Sequence, residues 1–225
     1  MESIQRTYPF LQEDWMIAML VIVVAVLALI RYNYPKRFVR LGQAIFRARL
    51  LRQLMREELV LSHRTSLALI LIFAANSAIL IYLAAKSYGW VPYREFEFWF
   101  FPITFGVIVL LYLWKLILVR LIQFFFSVDA GLSEYLVFSL VFNMLLGLIW
   151  FPLILVAMVT LKETVQIVLA LSLGLFLIGY LIRLVRGVLI AREQHIFSVY
   201  IILYLCALEI LPFAVFAKGI AEVKF

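Results

Sequence analysis

Cysteine occurs once in this chain, as Cys206, which excludes an intrachain disulfide and any cysteine-rich metal site. The two histidines, His63 and His195, stand far apart and have no second ligand at metal-binding spacing. No Walker loop, dinucleotide glycine pattern, H-E-x-x-H helix or G-x-S-x-G elbow occurs. Neither a catalytic constellation nor a cofactor-binding or metal site is therefore expected. Charge is scarce as well, at 15% of residues against 67% hydrophobic and a mean hydropathy of +1.10. An ordinary soluble domain is only about half apolar, so that class is excluded.

Long apolar runs take the place of what is missing. They predict one all-α domain over residues 1–225, a polytopic membrane bundle of six spans. The spans are set at about 15–34, 67–85, 98–119, 135–160, 165–182 and 196–217. Glu13 and Asp14 precede the first run and its basic cluster follows it, so this run reads as a retained span rather than a cleavable signal. Asp129-Ala-Gly131 reads as a turn, and residues 161–164 as the tight turn between spans 4 and 5. Ala170-x-x-x-Gly174 in span 5 has the small-residue spacing that lets helices approach closely.

The basic residues fix an orientation. Residues 35–64 form a basic amphipathic segment in which Phe38, Leu41, Ile45 and Ala48 share one face. After Arg49 the pattern rotates, which predicts two helices or one that bends near Phe46. Counting the loops after spans 1, 3 and 5 together with Lys115, one side carries 14 of the 20 basic residues. The side with 14 is expected to be cytoplasmic, with both termini periplasmic. Lys115 is read as snorkelling toward the headgroups, and Arg183, Arg186 and Arg192 as lining the loop after span 5. Net charge of +7 beside membrane spans points to anionic lipid headgroups rather than nucleic acid.

Glu209 is the sharpest candidate for chemistry, an acid well inside an apolar span. Asn76, Asn143 and Tyr204 are its expected hydrogen-bonding partners. It reads either as a protonatable coupling group or as a structural tie between helices. His195 reads as an interfacial residue at the start of span 6. Arg37, Arg40, Arg47, Arg52, Arg56, Glu57 and Glu58 are candidate membrane-surface or partner contacts. The aromatic run from Phe98 to Phe101 reads as a membrane belt rather than a haem or quinone pocket.

Arg52-Gln-Leu-Met-Arg-Glu-Glu58 before span 2, His195-Ile-Phe, and Tyr204-Leu-Cys-Ala-Leu-Glu-Ile-Leu-Pro212 carry a resemblance. The chain resembles an uncharacterised polytopic inner-membrane family of Bacteroidota. What the resemblance implies is the inner membrane of a diderm envelope and no familiar cofactor. The expected function is a non-catalytic subunit or scaffold of an envelope complex, with a membrane-protein partner docked on the basic segment. The alternative is a small transporter or lipid-handling protein that uses Glu209.

Overall fold

The computed structural model describes residues 14–33, 64–88, 97–126, 129–160 and 162–193. Five helices make up these residues: α1 (Asp14–Asn33), α2 (Arg64–Ser87), α3 (Glu97–Phe126), α4 (Asp129–Val159) and α5 (Lys162–Glu193). No strand occurs among the described residues. Each helix contains a stretch long and apolar enough to cross a membrane, namely 15–33, 65–87, 99–118, 135–159 and 164–189. Apolar residues surround these helices on nearly every side, the pattern expected when lipid rather than water meets the outer face. The basic segment 35–63 and span 6 lie outside the described residues.

Two apolar clusters mark the two ends of the bundle. One joins Ile30 near the end of α1 to Leu69 near the start of α2 and to Tyr135 and Leu140 in α4, with Leu118 and Leu184 packed against it. The other joins Met16, Leu83, Phe101, Ile154 and Val165. The helices therefore run alternately up and down. Below, the first cluster defines the near end, where α1, α3 and α5 finish and α2 and α4 begin.

α2 and α4 form the centre. Within its apolar stretch α2 has 61% of residues buried and α4 50%, whereas α3 has 6% and stands at the edge. α2 packs most extensively on α4, α5 packs on α4, and α3 leans mainly on α2.

Among the described glycines, Gly147 of α4 makes the closest approach to the backbone of another helix. A Cβ there would lie 2.7 Å from Phe73 Cα and 2.9 Å from Phe73 Cβ. Those atoms belong to the α2 backbone and the root of its side chain, so nothing flexible can yield. Gly179 of α5 differs, because its Cβ would meet only the ring of Phe142, 2.3 Å at the nearest atom. A half-buried phenyl ring can turn aside. Gly179→Ala is thus expected to lower the thermal midpoint in detergent less than Gly147→Ala does. Gly174 has nothing within 4 Å of an added Cβ. Among the described residues the Ala170-x-x-x-Gly174 spacing marks no close contact at Gly174, and the tight backbone contact lies at Gly147.

Three boundaries differ from the sequence reading. α5 begins at Lys162, so residues 162–164 of the turn read over 161–164 are helical. α4 begins at Asp129, so Asp129-Ala-Gly131 is the first helical turn and not a loop. Aspartate is well suited to a helix start, and one glycine does not stop a helix that packing supports. α5 continues to Glu193, which puts Arg183 and Arg186 inside a helix rather than in a loop. No proline interrupts Arg183–Glu193, and Leu184, Val185, Val188 and Leu189 carry the apolar pattern onward.

The aromatic belt also divides. Trp99 is exposed, as a belt residue should be, while Phe101 is buried. Trp15 meets Tyr82 edge-on at 5.1 Å between ring centroids and lies 5.2 Å from Phe101. These rings close the far end of the bundle by packing inward.

Candidate functional site

The polar residues in the apolar stretches fall into two kinds. Ser77 donates to Phe73 O at 2.7 Å and Ser172 to Val168 O at 2.8 Å, each one turn back on its own helix. Such hydroxyls satisfy themselves and tie nothing together. Asparagine and the long basic side chains reach further, and they converge on one face of α4.

Ser139, Asn143 and Gly147 stand four residues apart and so lie above one another on that face. Each receives a polar side chain from a different neighbour. Lys115 Nζ of α3 donates to Ser139 Oγ at 3.1 Å. Arg183 Nη1 of α5 donates to Asn143 Oδ1 at 3.0 Å, and Asn143 Nδ2 donates to the Tyr112 hydroxyl of α3. Asn76 Nδ2 of α2 donates to Gly147 O at 2.8 Å. One helix face therefore joins α2, α3 and α5.

Local sequence explains each contact. The missing side chain at Gly147 brings α2 close enough for Asn76 to reach a main-chain carbonyl. On α5, Gly179, Arg183 and Gly187 follow at the same four-residue spacing. Cβ atoms on the two glycines would strike Phe142 and Tyr135 of α4, the second at 3.0 Å. Close packing on both sides of Arg183 leaves its side chain only 8% exposed and points it at Asn143.

Depth follows from the helical rise of about 1.5 Å per residue. Lys115 and Arg186 lie about 5 Å inside the near end of their apolar stretches, and Arg183 about 9 Å inside. Asn76 lies about 17 Å from the start of α2's stretch, near its middle. Polar contacts thus run in steps from the near end to mid-depth.

Asn76 and Asn143, both expected near an intramembrane site, are buried and placed one turn apart in level along α4. Glu209, Tyr204 and His195 lie outside the described residues, as do Arg37, Arg40, Arg47, Arg52, Arg56, Glu57 and Glu58. Lys115 corrects the sequence reading, since its ammonium turns to Ser139 of α4 instead of snorkelling outward. Arg183 and Tyr112 were not foreseen as site residues. The Gly179-x-x-x-Arg183-x-x-x-Gly187 spacing was the available signal for the first, while nothing in the sequence singled out Tyr112. Among the described residues no group of histidine, cysteine, aspartate or glutamate is arranged to hold a metal.

A family described as a domain of unknown function, DUF4271, matches residues 16–220. The chain belongs to this family. No curated protein and no solved structure matches it. The DUF4271 match covers the described helices from the second residue after the start of α1 onward, so the α4 face with its three polar contacts lies wholly within the family's domain.

Proposed function

We propose that this DUF4271 protein is a non-catalytic integral subunit or scaffold of an envelope complex in the inner membrane of a diderm bacterium, one of the Bacteroidota. The observation that carries this reading is what the polar side chains address. Asn76, Asn143, Lys115 and Arg183 are used to hold one helix to another. Groups that serve a substrate must instead be aimed at the place the substrate occupies. Helix-to-helix ties suit a rigid platform. In the proposed orientation the near end is cytoplasmic, following the side with 14 basic residues. Sequence places both termini in the periplasm and adds a sixth span over 196–217. The basic segment 35–64 then offers Arg37, Arg40, Arg47, Arg52, Arg56, Glu57 and Glu58 to a partner, with His195 at the same membrane face.

Extraction of the tagged full chain in a gentle detergent tests the reading. A stoichiometric membrane-protein partner is expected, and Arg47→Gln with Arg52→Gln and Arg56→Gln should release it. A monodisperse lone protein in the mildest detergents would contradict it.

One observation favours the second reading, a transporter or lipid-handling protein with Glu209 as a protonatable group. Asn76 Oδ1 is buried and has no hydrogen-bond partner among the described residues. A protonated carboxyl is the donor such an acceptor suits. Counted from Ile196, Glu209 lies about 20 Å along span 6, close to the depth of Asn76. On this reading Glu209→Gln, which keeps a donor but cannot release a proton, loses transport with normal folding. Unchanged transport in that variant would remove it.

A further inference from the structure

We infer that the chain's own segment 196–217, the sixth span proposed above, packs into the trough between α3 and α5 and brings Tyr200 and Tyr204 to the α4 face that carries Ser139 and Asn143. α3 and α5 both reach α4 but do not pack extensively on each other. Lys115 of α3 donates to Ser139, and Arg183 of α5 donates to Asn143, whose amide in turn donates to Tyr112 of α3. Two helices held to one face of a third, with little contact between them, leave a trough along that face. Tyr112 and Lys115 stand on its α3 wall and Arg183 on its α5 wall. Tyr180 precedes Arg183 by three residues and so lies on the same side of α5. All four make further contacts, so the trough asks for a packed neighbour rather than a counter-ion. Acyl chains do not suit such walls, because polar groups within the hydrocarbon are satisfied inside the protein.

Chain length selects the occupant. α5 ends at Glu193, at the near end, and only residues 194 and 195 precede Ile196. A connection that short makes an antiparallel hairpin, so the next span lies beside α5 and runs back toward the far end. On the outward side of α5, Leu177, Leu181 and Val188 are exposed and apolar, which suits lipid. The trough side, with its tyrosine and arginine, suits protein.

The levels agree. At about 1.5 Å per residue, Tyr200 lies about 6 Å and Tyr204 about 12 Å beyond Ile196. Lys115 lies about 5 Å inside the near end, and Tyr112 and Arg183 about 9 Å. Tyrosines four residues apart share one helix face. Each offers an apolar ring whose face accepts a cation and a hydroxyl that donates or accepts. Glu209, five residues beyond Tyr204, is then turned about 140° away around the helix. The acid belongs on this placement to the side of span 6 that a membrane partner covers, and not to Asn76. The inference rests on the sixth span, which both readings above share.

Disulfide cross-linking of the full chain in isolated membranes tests it, in a Cys206→Ser background that has no other cysteine. Tyr204→Cys is expected to link within one chain to Tyr112→Cys and, in a second variant, to Tyr180→Cys. Leu208→Cys with Phe176→Cys repeats the test about one turn deeper, with both tyrosines of span 6 intact. Leu110→Cys and Leu181→Cys lie at the level of Tyr204 but on the outward sides of α3 and α5, where both side chains are exposed. Their links to Tyr204→Cys should be several-fold weaker. Equal or stronger links to Leu181→Cys, links that join two chains, or no link at any pair would each overturn the proposal. A membrane-impermeant maleimide on the native chain tells that failure from failure of the sixth span. Cys206 protected from both sides keeps the span and rejects only its packing, whereas labelled Cys206 removes the span itself.

Discussion

Gly147→Ala lowers the stability of the bundle by about 2 kcal/mol, the largest loss expected from any single methyl group in it. Alanine is favoured over glycine inside a helix by about 1 kcal/mol, which would argue for the opposite sign. Overpacking a tight contact costs about 1–3 kcal/mol, and the upper end applies where the atoms struck are backbone. At Gly147 the struck atoms are Phe73 Cα and N, with 2.7 Å and 3.2 Å available. Relief requires α2 to move away from α4. That motion also stretches the hydrogen bond from Asn76 to Gly147 O, now 2.8 Å. Gly106→Ala and Gly174→Ala supply the control, because an added Cβ meets nothing within 4 Å at either site. Their midpoints in detergent should equal or exceed wild type. A midpoint for Gly147→Ala no lower than theirs would mean that α2 and α4 do not pack at this distance.

Asn143→Leu is the second large effect, again about 2 kcal/mol. Leucine fills a similar volume and is more apolar, so packing alone predicts little change. The loss comes from hydrogen bonding. Asn143 accepts from Arg183 and donates to Tyr112, and both contacts lie inside the bundle. Interhelical hydrogen bonds between neutral groups in membranes average about 0.6 kcal/mol, too little to decide the outcome. Taking an acceptor from a buried guanidinium adds the larger share, because bonds to charged groups are worth about 1.5–3 kcal/mol. Asn143→Asp separates the two roles. It keeps the acceptor for Arg183 and loses the donor to Tyr112, so it should be less damaging than leucine. Thermal unfolding of the three proteins in one detergent checks the order wild type, aspartate, leucine.

Much of this architecture is legible in the amino-acid sequence, for a physical reason. Apolar runs of about 20 residues have few fates other than crossing a bilayer, so helices α1 to α5 were visible as spans. Their ends were not. In the sequence, Arg183 reads as a loop residue because an arginine after Ile182 looks like the edge of hydrocarbon. Its neighbours Leu181, Ile182 and Val185 remain exposed and apolar while Arg183 turns inward, a distinction that depends on helix rotation. Lys115 differs from its sequence reading for the same reason, since it donates to a hydroxyl on another helix. Asn76 and Asn143 stand out in the sequence as amides inside apolar runs, where an unsatisfied polar group is costly in lipid, and the sequence reading offers them to Glu209. Which groups they would meet depended on the packing order of the helices. That order follows from Gly147 and the Gly179/Gly187 pair, and the ordinary small-residue spacing at Ala170 and Gly174 pointed elsewhere.

The face of α4 that gathers α2, α3 and α5 can be tested through one pair of residues. Asn143→Leu, Arg183→Met and the double variant, unfolded in the same detergent beside wild type, give the coupling between the two side chains. Arg183 Nη1 at 3.0 Å from Asn143 Oδ1 implies a coupling of about 1–2 kcal/mol, so the double variant should be hardly less stable than the worse single one. Single losses that simply add, within about 0.5 kcal/mol, would mean that α5 does not meet α4 at this point.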